Sequence, residues 1–356
     1  MSALTVEAQT KKDLVYPFKK YWSPEPGALH EVAEGVFWLR MPLPIALDHI
    51  NLWLLQDGDD WVIVDTGYDA SSCKAVWQRL FDDVFDPARV TRIVITHFHP
   101  DHIGLAAWLA LRCESKIYIT QGELDLYRKI HSRQQSRVRG MVQAYLKELG
   151  FDAAATDTYM PFFLSDPKPK SDRVQPDQCN ILREHDELLI NGKVWRVVCG
   201  NGHSPEHACL YNVSQKLLIA GDQAIPRISS NVSVYPANRH ADPLGDWIAS
   251  CEKLRDEIPA ETVILPSHQE PFIGIQMRMQ QLIDDHLNQL NQLRLAVQAP
   301  ISAVQARDIL FTRELNVVDT LLATGETLAH LNYLLHRREI AAKPDADGVT
   351  LYYQSS

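Results

Sequence analysis

No apolar run in this chain of 356 residues approaches the ~20 needed to cross a bilayer as a helix, so a helical membrane protein is not the reading. No C-x-x-C pair occurs. The six cysteines (Cys73, Cys113, Cys179, Cys199, Cys209 and Cys251) are scattered, which removes thiolate-pair zinc and redox motifs and points to free, buried thiols of a reducing compartment. Positive charge is in deficit: 35 Lys and Arg against 45 Asp and Glu give a net charge of −10, which disfavours a protein that coats nucleic acid. The first thirty residues carry Lys11, Lys12, Lys19 and Lys20 but no apolar stretch, so no secretory signal is read and a cytoplasmic protein is expected. Repeats and low-complexity tracts are lacking too.

What remains is ordinary globular usage, 46% apolar and 22% charged. At ~150 residues per domain the length suggests about two domains. From residue 30 to about 270, Val/Ile/Trp-rich runs alternate with helical patterns, an α/β signature. Strands are expected at Val36–Arg40, Asn51–Leu55, Trp61–Asp65, Arg92–Thr96, Lys116–Thr120, Val194–Cys199, Ala208–Asn212, Leu217–Ala220 and Thr262–Leu265. Helices are expected at Ser71–Phe81, Ile103–Arg112, Gln121–Leu149 (with a break at Gly140) and Pro243–Glu257, and residues 150–178 read as a long loop. Beyond Pro271, Met277, Met279, Leu282, Ile283, Leu287, Leu290 and Leu293 recur at helical spacing. Short helices at Ser302–Phe311, Val317–Thr324 and Glu326–Arg338 and a hairpin about Pro344–Gly348 follow, the element order of a winged helix. The expected domains are an N-terminal extension (1–29), a catalytic domain (30–272, with a helical insertion about 121–178) and a helical linker with a winged-helix-like domain (273–356).

The segment Thr96-His97-Phe98-His99-Pro100-Asp101-His102 decides the chemistry. An apolar strand runs into three His and one Asp within six residues, and imidazole with carboxylate is the usual ligand set for zinc and similar divalent metals. Alternate residues of extended chain point the same way, so His97 and His99 can grip one ion while the turn aims Asp101 and His102 at a neighbouring point.

This H-x-H-x-D-H closely resembles the signature of the metallo-β-lactamase superfamily. Four further stretches match that family in order: Asp65-Thr66-Gly67 at a strand end, Gly202-His203-Ser204-Pro205-Glu206-His207, Gly221-Asp222, and His268 after Leu265-Pro266-Ser267. The resemblance implies an αββα sandwich. It implies one divalent ion held by His97, His99 and His203, a second by Asp101, His102 and His268, and Asp222 shared between them. Zinc is the first choice, with iron or manganese as alternatives. Asp65 and His207 would support the ligands from behind, and His49 would line the pocket. A metal-bridging hydroxide would then hydrolyse the substrate, with Asp101 and Asp222 as the catalytic carboxylates.

Asp222 argues against a true class B β-lactamase, and His99 against the flavo-di-iron oxidoreductases. Thioesterases, lactonases and phosphodiesterases, ribonucleases included, remain, and the ligands do not divide them. The stretch 126–139 holds five basic residues and no acid, so Arg128, Arg133 and Arg137 are read as an anion cradle for a phosphate-bearing substrate. That favours an acyl-CoA-like or glutathione-like thioester. The tail 324–334 is similar to the T-x-x-E-T-L-x-H-L stretch of a superfamily branch that ends in a winged helix. Five basic residues face seven acidic ones over 301–356, so the tail is read as a packing or homodimer element rather than a nucleic-acid binder. A winged-helix regulator with structural metal is the reading outside catalysis, disfavoured because structural zinc sites are closed by four ligands.

Overall fold

Period-2 alternation builds both sheets. Along His49–Asp57, Ile50, Leu52 and Leu54 face one way, and Trp53 and Leu55 the other, all buried, so this strand is covered on both faces. The computed structural model describes residues 14–44, 47–132, 135–164 and 172–355. One seven-stranded sheet runs β1 (Leu29–Ala33), β2 (Val36–Pro42), β3 (His49–Asp57), β4 (Asp60–Val64), β5 (Val90–Val94), β6 (Lys116–Thr120) and β7 (Cys179–Leu182), antiparallel as far as β4 and parallel beyond. A six-stranded sheet runs β8 (Glu187–Ile190), β9 (Lys193–Gly200), β10 (His207–Asn212), β11 (Leu217–Gly221), β12 (Val263–Pro266) and β13 (Phe272–Ile273), antiparallel except for β11 with β12. Every expected strand is present within two residues of its expected bounds.

Trp38, Trp53, Val62, Val64 and Val94 of the first sheet and Trp195, Val197, Leu210 and Ile219 of the second form one buried cluster between the sheets. Each such side chain contributes about 1.5–3 kcal/mol on burial, which makes the sandwich the rigid frame. On the outer face of the first sheet pack α1 (Ser71–Asp83), α3 (Ala106–Cys113) and α4 (Gln121–His131), with the single turn α2 (Pro100–Ile103) beside the site. Over the second sheet lie α5 (Gln135–Leu149), α6 (Ala153–Phe163), α7 (Pro243–Glu257) and α8 (Ile275–Ala296). The tail adds β14 (Ile301–Ser302), α9 (Ala303–Leu310), α10 (Val317–His336) and the hairpin β15 (Ile340–Pro344) and β16 (Thr350–Gln354), its strands ordered β14-β16-β15. The architecture is the expected αββα sandwich. Among the described residues, no helix is long and apolar enough to cross a membrane.

Several local expectations are corrected. The helix expected to break at Gly140 breaks instead after His131, and Gly140 lies within α5. The segment 150–178 is not a continuous loop: Asp152 caps α6 by accepting from the Ala155 amide (2.7 Å), and Tyr159 packs on Phe151. Gly325 does not divide the tail, because α10 runs through it. A glycine costs a helix only about 1 kcal/mol, and here a Cβ would sit 2.8 Å from Ser233 Oγ, so its bareness serves a close approach. In the tail, read as a packing or homodimer element, Leu328, Leu331 and Leu334 are buried in the chain's own core and Leu335 packs against it. The cysteines carry no disulfide; five are buried and Cys179 is half-buried.

The buried face of α8 takes Arg278 and His286 in place of the expected Met277 and Leu287. His286 of α8 and His330 of α10 meet in the core at 3.1 Å, with His330 Nδ1 donating to the Glu326 carbonyl at 2.8 Å. Burial lowers His286 to about 4 and His330 to about 3. The unfolded chain therefore takes up protons below about pH 6.5 that the folded chain refuses, and stability must fall as pH drops toward 4. The melting temperature should fall between pH 7 and pH 5, and His286→Gln with His330→Gln should fall less over the same interval. Equal losses in the two proteins would contradict this account.

Candidate metal centre

The motif residues lie at one end of the sandwich, at strand ends and in the loops and the single turn α2 that follow them. His97, His99, Asp101 and His102 follow β5, Asp65 follows β4, His203 follows β9, Asp222 follows β11 and His268 follows β12. The two sheets are tied together there. The Ala208 amide donates to the Thr96 carbonyl (2.8 Å) and the Asn51 amide to Ser267 O (2.6 Å), while Asn51 Nδ2 donates to Pro266 O (3.0 Å) and Gln269 O (2.7 Å). Gly221 has φ 52°, and a Cβ there would lie 2.4 Å from the His207 ring, so only glycine lets β11 deliver Asp222 at this angle.

Two groups converge. In the first, His97 Nε2 lies 2.9 Å from His99 Nδ1 and 3.3 Å from His203 Nε2, with Asp222 Oδ2 at 3.4 Å from His203 Nε2. In the second, Asp101 Oδ2 lies 3.6 Å from His102 Nε2 and 3.4 Å from His268 Nε2. Asp222 Oδ1 faces that second group, 3.5 Å from His102 Nε2 and 3.6 Å from His268 Nε2. One carboxylate thus turns one oxygen to each group.

The far nitrogens of three rings are committed. His203 Nδ1 donates to Asn231 O (2.8 Å), His268 Nδ1 to His49 O (2.9 Å) and His102 Nδ1 to Asp65 Oδ2 (2.7 Å), so each ring turns its Nε2 to the centre. Imidazole lone pairs this close repel unless a proton or cation lies among them. His102 Nε2 and Asp222 Oδ1 are buried without a hydrogen-bonding partner. Burial holds His97 and His99 neutral, His99 at about 3. Burial raises the Asp101 carboxyl, but His102 and His268 outweigh it and hold it at about 2. In turn the carboxylates Asp101 and Asp222 raise His102 and His268 against burial, and a pocket that draws positive charge in among its imidazoles and orphaned atoms fits divalent cations.

Asp65 (φ 62°) accepts from Thr96 N and Thr96 Oγ1, both at 2.8 Å, as well as from His102. His207 stacks on His97 and accepts from the Asp222 amide at 3.0 Å, so its Nε2 is occupied by backbone. His49 was read as pocket lining. It holds His268 through its carbonyl while its ring pairs with Asp48 and accepts from Gln269 N (3.3 Å). Arg128 and Arg137 are exposed on α4 and α5, and among the described residues no hydrogen bond joins either to the cluster; Arg133 lies outside the described residues.

Sequence reasoning missed Glu123. Wholly buried at the start of α4, it accepts from the Phe98 amide (3.0 Å), Ser204 Oγ (2.6 Å) and the Glu206 amide (2.8 Å), stapling the loop of His97 and His99 to that of His203. Burial raises its carboxyl against those three donors. Its signal was available: Glu123 shares a helix face with Tyr127, four residues on, so an acid sits on an apolar stripe.

Residues 45–268 match the family model of the metallo-beta-lactamase superfamily, and residues 290–355 match that of the metallo-beta-lactamase-like C-terminal domain. A crystal structure of a beta-lactamase domain protein from Burkholderia ambifaria superposes with a TM-score of 0.86 at 37% identity, covering 96% of this chain and 98% of that one. The probable metallo-hydrolase YqjP of Bacillus subtilis is 24% identical over 90% of this chain and 98% of its own length. The human acyl-coenzyme A thioesterase MBLAC2 is 24% identical over 68% of this chain and 80% of its own. With these matches and the clustered His and Asp groups, the chain belongs to the metallo-beta-lactamase superfamily, as one of its metallo-hydrolases.

Proposed function

We propose that the chain is a dinuclear hydrolase of thioesters, acyl-CoA-like or glutathione-like, with zinc as the first choice of metal. The two-faced Asp222 carboxylate carries the dinuclear part of this reading, since its oxygens turn to two separate ligand groups. His97, His99 and His203 would hold one ion, Asp101, His102 and His268 the other, and Asp222 both. Bound there, the ions would supply an activated water and polarise the carbonyl under attack. The protein's share is positional. Asp65, Asn231 O and His49 O fix three ring orientations, and Glu123 fixes the spacing between the two loops of the first group. Asp101, half-buried beside the second group and held ionised, would orient a proton there during hydrolysis.

The thioester part is supported by the likeness to the thioesterase MBLAC2 and by the local basic charge. A cavity of about 180 Å³ lies between the His97–His102 loop and α4, lined among others by Phe98, Pro100, Tyr127 and His131. It is smaller than the ~300–1,000 Å³ of pockets that enclose larger ligands. None of the seven candidate ligands lines it, whereas a bulky phosphate-bearing leaving group would meet the surface where Arg128 and Arg137 are exposed.

Metal-replete protein should hold two divalent ions per chain by elemental analysis. Asp222→Ala should lower that content and cut turnover by about 100-fold or more. A replete wild-type chain with one tightly held ion would end the dinuclear reading. On a panel of thioesters, lactones and phosphodiesters, the thioesters should turn over fastest. Arg128→Ala with Arg137→Ala should raise KM for an acyl-CoA by about tenfold with little change in kcat, and spare a small uncharged thioester. Equal losses on both substrates would remove the arginines from substrate binding.

A further inference from the structure

The segment from Asp222 to Val234 joins two halves of the centre. At one end, Ser230 Oγ donates to the Asp222 carbonyl; farther on, the Asn231 carbonyl accepts from His203 Nδ1 (2.8 Å). It has no regular secondary structure, so its position must be fixed from outside. The fixing comes from α8 and from α10 of the tail. Arg278 of α8, itself buried, donates through Nε to Ile225 O (2.6 Å) and through Nη2 to Ile228 O (2.7 Å). The second anchor is α10. Asn231 Nδ2 donates to Glu326 Oε2 (3.2 Å), Ser233 Oγ donates to Leu322 O (3.2 Å), and the Val234 amide donates to Gly325 O (3.1 Å). The absent side chain of Gly325 lets the two backbones approach this closely, since a Cβ would meet Ser233 Oγ at 2.8 Å and Ser233 Cβ at 3.0 Å.

We propose that the C-terminal helices are a positioning part of the metal centre. Through Arg278, Gly325 and Glu326 they hold the 225–234 strap so that the Asn231 carbonyl orients His203, and the tail thereby sets how tightly the His97–His99–His203 group binds its ion. The proposal rests on the two-ion reading above. Groups that orient a metal-bound imidazole typically alter affinity by about 10–100-fold when removed, although they never touch the ion. Asn231 and Glu326 are therefore positioning residues, and their effect should fall on one ion rather than both. Glu326 is partly buried, burial pushes its carboxyl up to about 7, and its task toward Asn231 is only to accept a hydrogen bond. A glutamine can do the same.

The test is a zinc titration of the metal-stripped full-length chain against a chromophoric chelator. Wild type should take up two ions. Asn231→Ala and Glu326→Ala should each weaken one of them by about tenfold or more and leave the other within about twofold, while Glu326→Gln stays close to wild type. Gly325→Val, which pushes the strap off α10, should do the same as Glu326→Ala. Thermal melts of the metal-free proteins separate positioning from folding: Glu326→Ala should melt within a few degrees of wild type. Unchanged affinity for both ions in these variants would overturn the proposal. So would equal weakening of both ions together with a large fall in metal-free melting temperature, the signature of a merely structural role. A wild-type chain that takes up fewer than two ions would overturn the two-ion reading itself, and the proposal with it.

Discussion

Two imidazole nitrogens 2.9 and 3.3 Å from a third, beside a carboxylate that faces a second such group, form an arrangement that a folded chain does not adopt by default. Their lone pairs and negative charges converge, and the groups are buried, so the repulsion is weakly screened. Divalent cations remove that conflict. In their absence it must be borne by the surrounding structure, and much of the fold near this end of the sandwich does that. Thr96 and Asp65 brace the first loop, Asn51 braces the loop of His268, Glu123 ties the first loop to that of His203, and the 225–234 strap holds His203 from behind.

The sandwich suits this task because its two sheets are rigid and end together. Each candidate ligand lies within a few residues of the end of its strand, so a small error in strand register would carry it out of reach. Large side chains between the sheets, Trp38, Trp53 and Trp195 among them, fix the distance between the sheets. Hydrogen bonds such as Ala208 N to Thr96 O fix their alignment at the site. The tail packs against α7 and α8, which lie over the outer face of the second sheet, and reaches the site through a strap with no regular structure of its own.

The candidate ligands that cluster at one end of the sandwich were legible because four of them are close in sequence and chemically unusual. His97, His99, Asp101 and His102 announce themselves, and the later motifs follow strand ends in order. The supporting groups were not legible, because their partners are distant: Asn51 acts on residues more than 200 positions away, and Asn231 acts on His203 through a carbonyl that every residue possesses. The tail misled at Gly325 because a glycine in a helical pattern reads as a break, whereas here it admits a neighbouring backbone. His286 and His330 were unreadable for the same reason as Asn51, since two histidines 44 residues apart meet only once α8 and α10 have packed.

The central claim is that Asp222 is shared between two ions, one in each group. It is tested most directly by a crystal structure of the metal-replete protein with diffraction data collected on either side of the metal's absorption edge. The account predicts two anomalous peaks, one among His97, His99, His203 and Asp222 and the other among Asp101, His102, His268 and the same Asp222. A single peak, or a second peak away from Asp222, in protein shown to be metal-replete would contradict it.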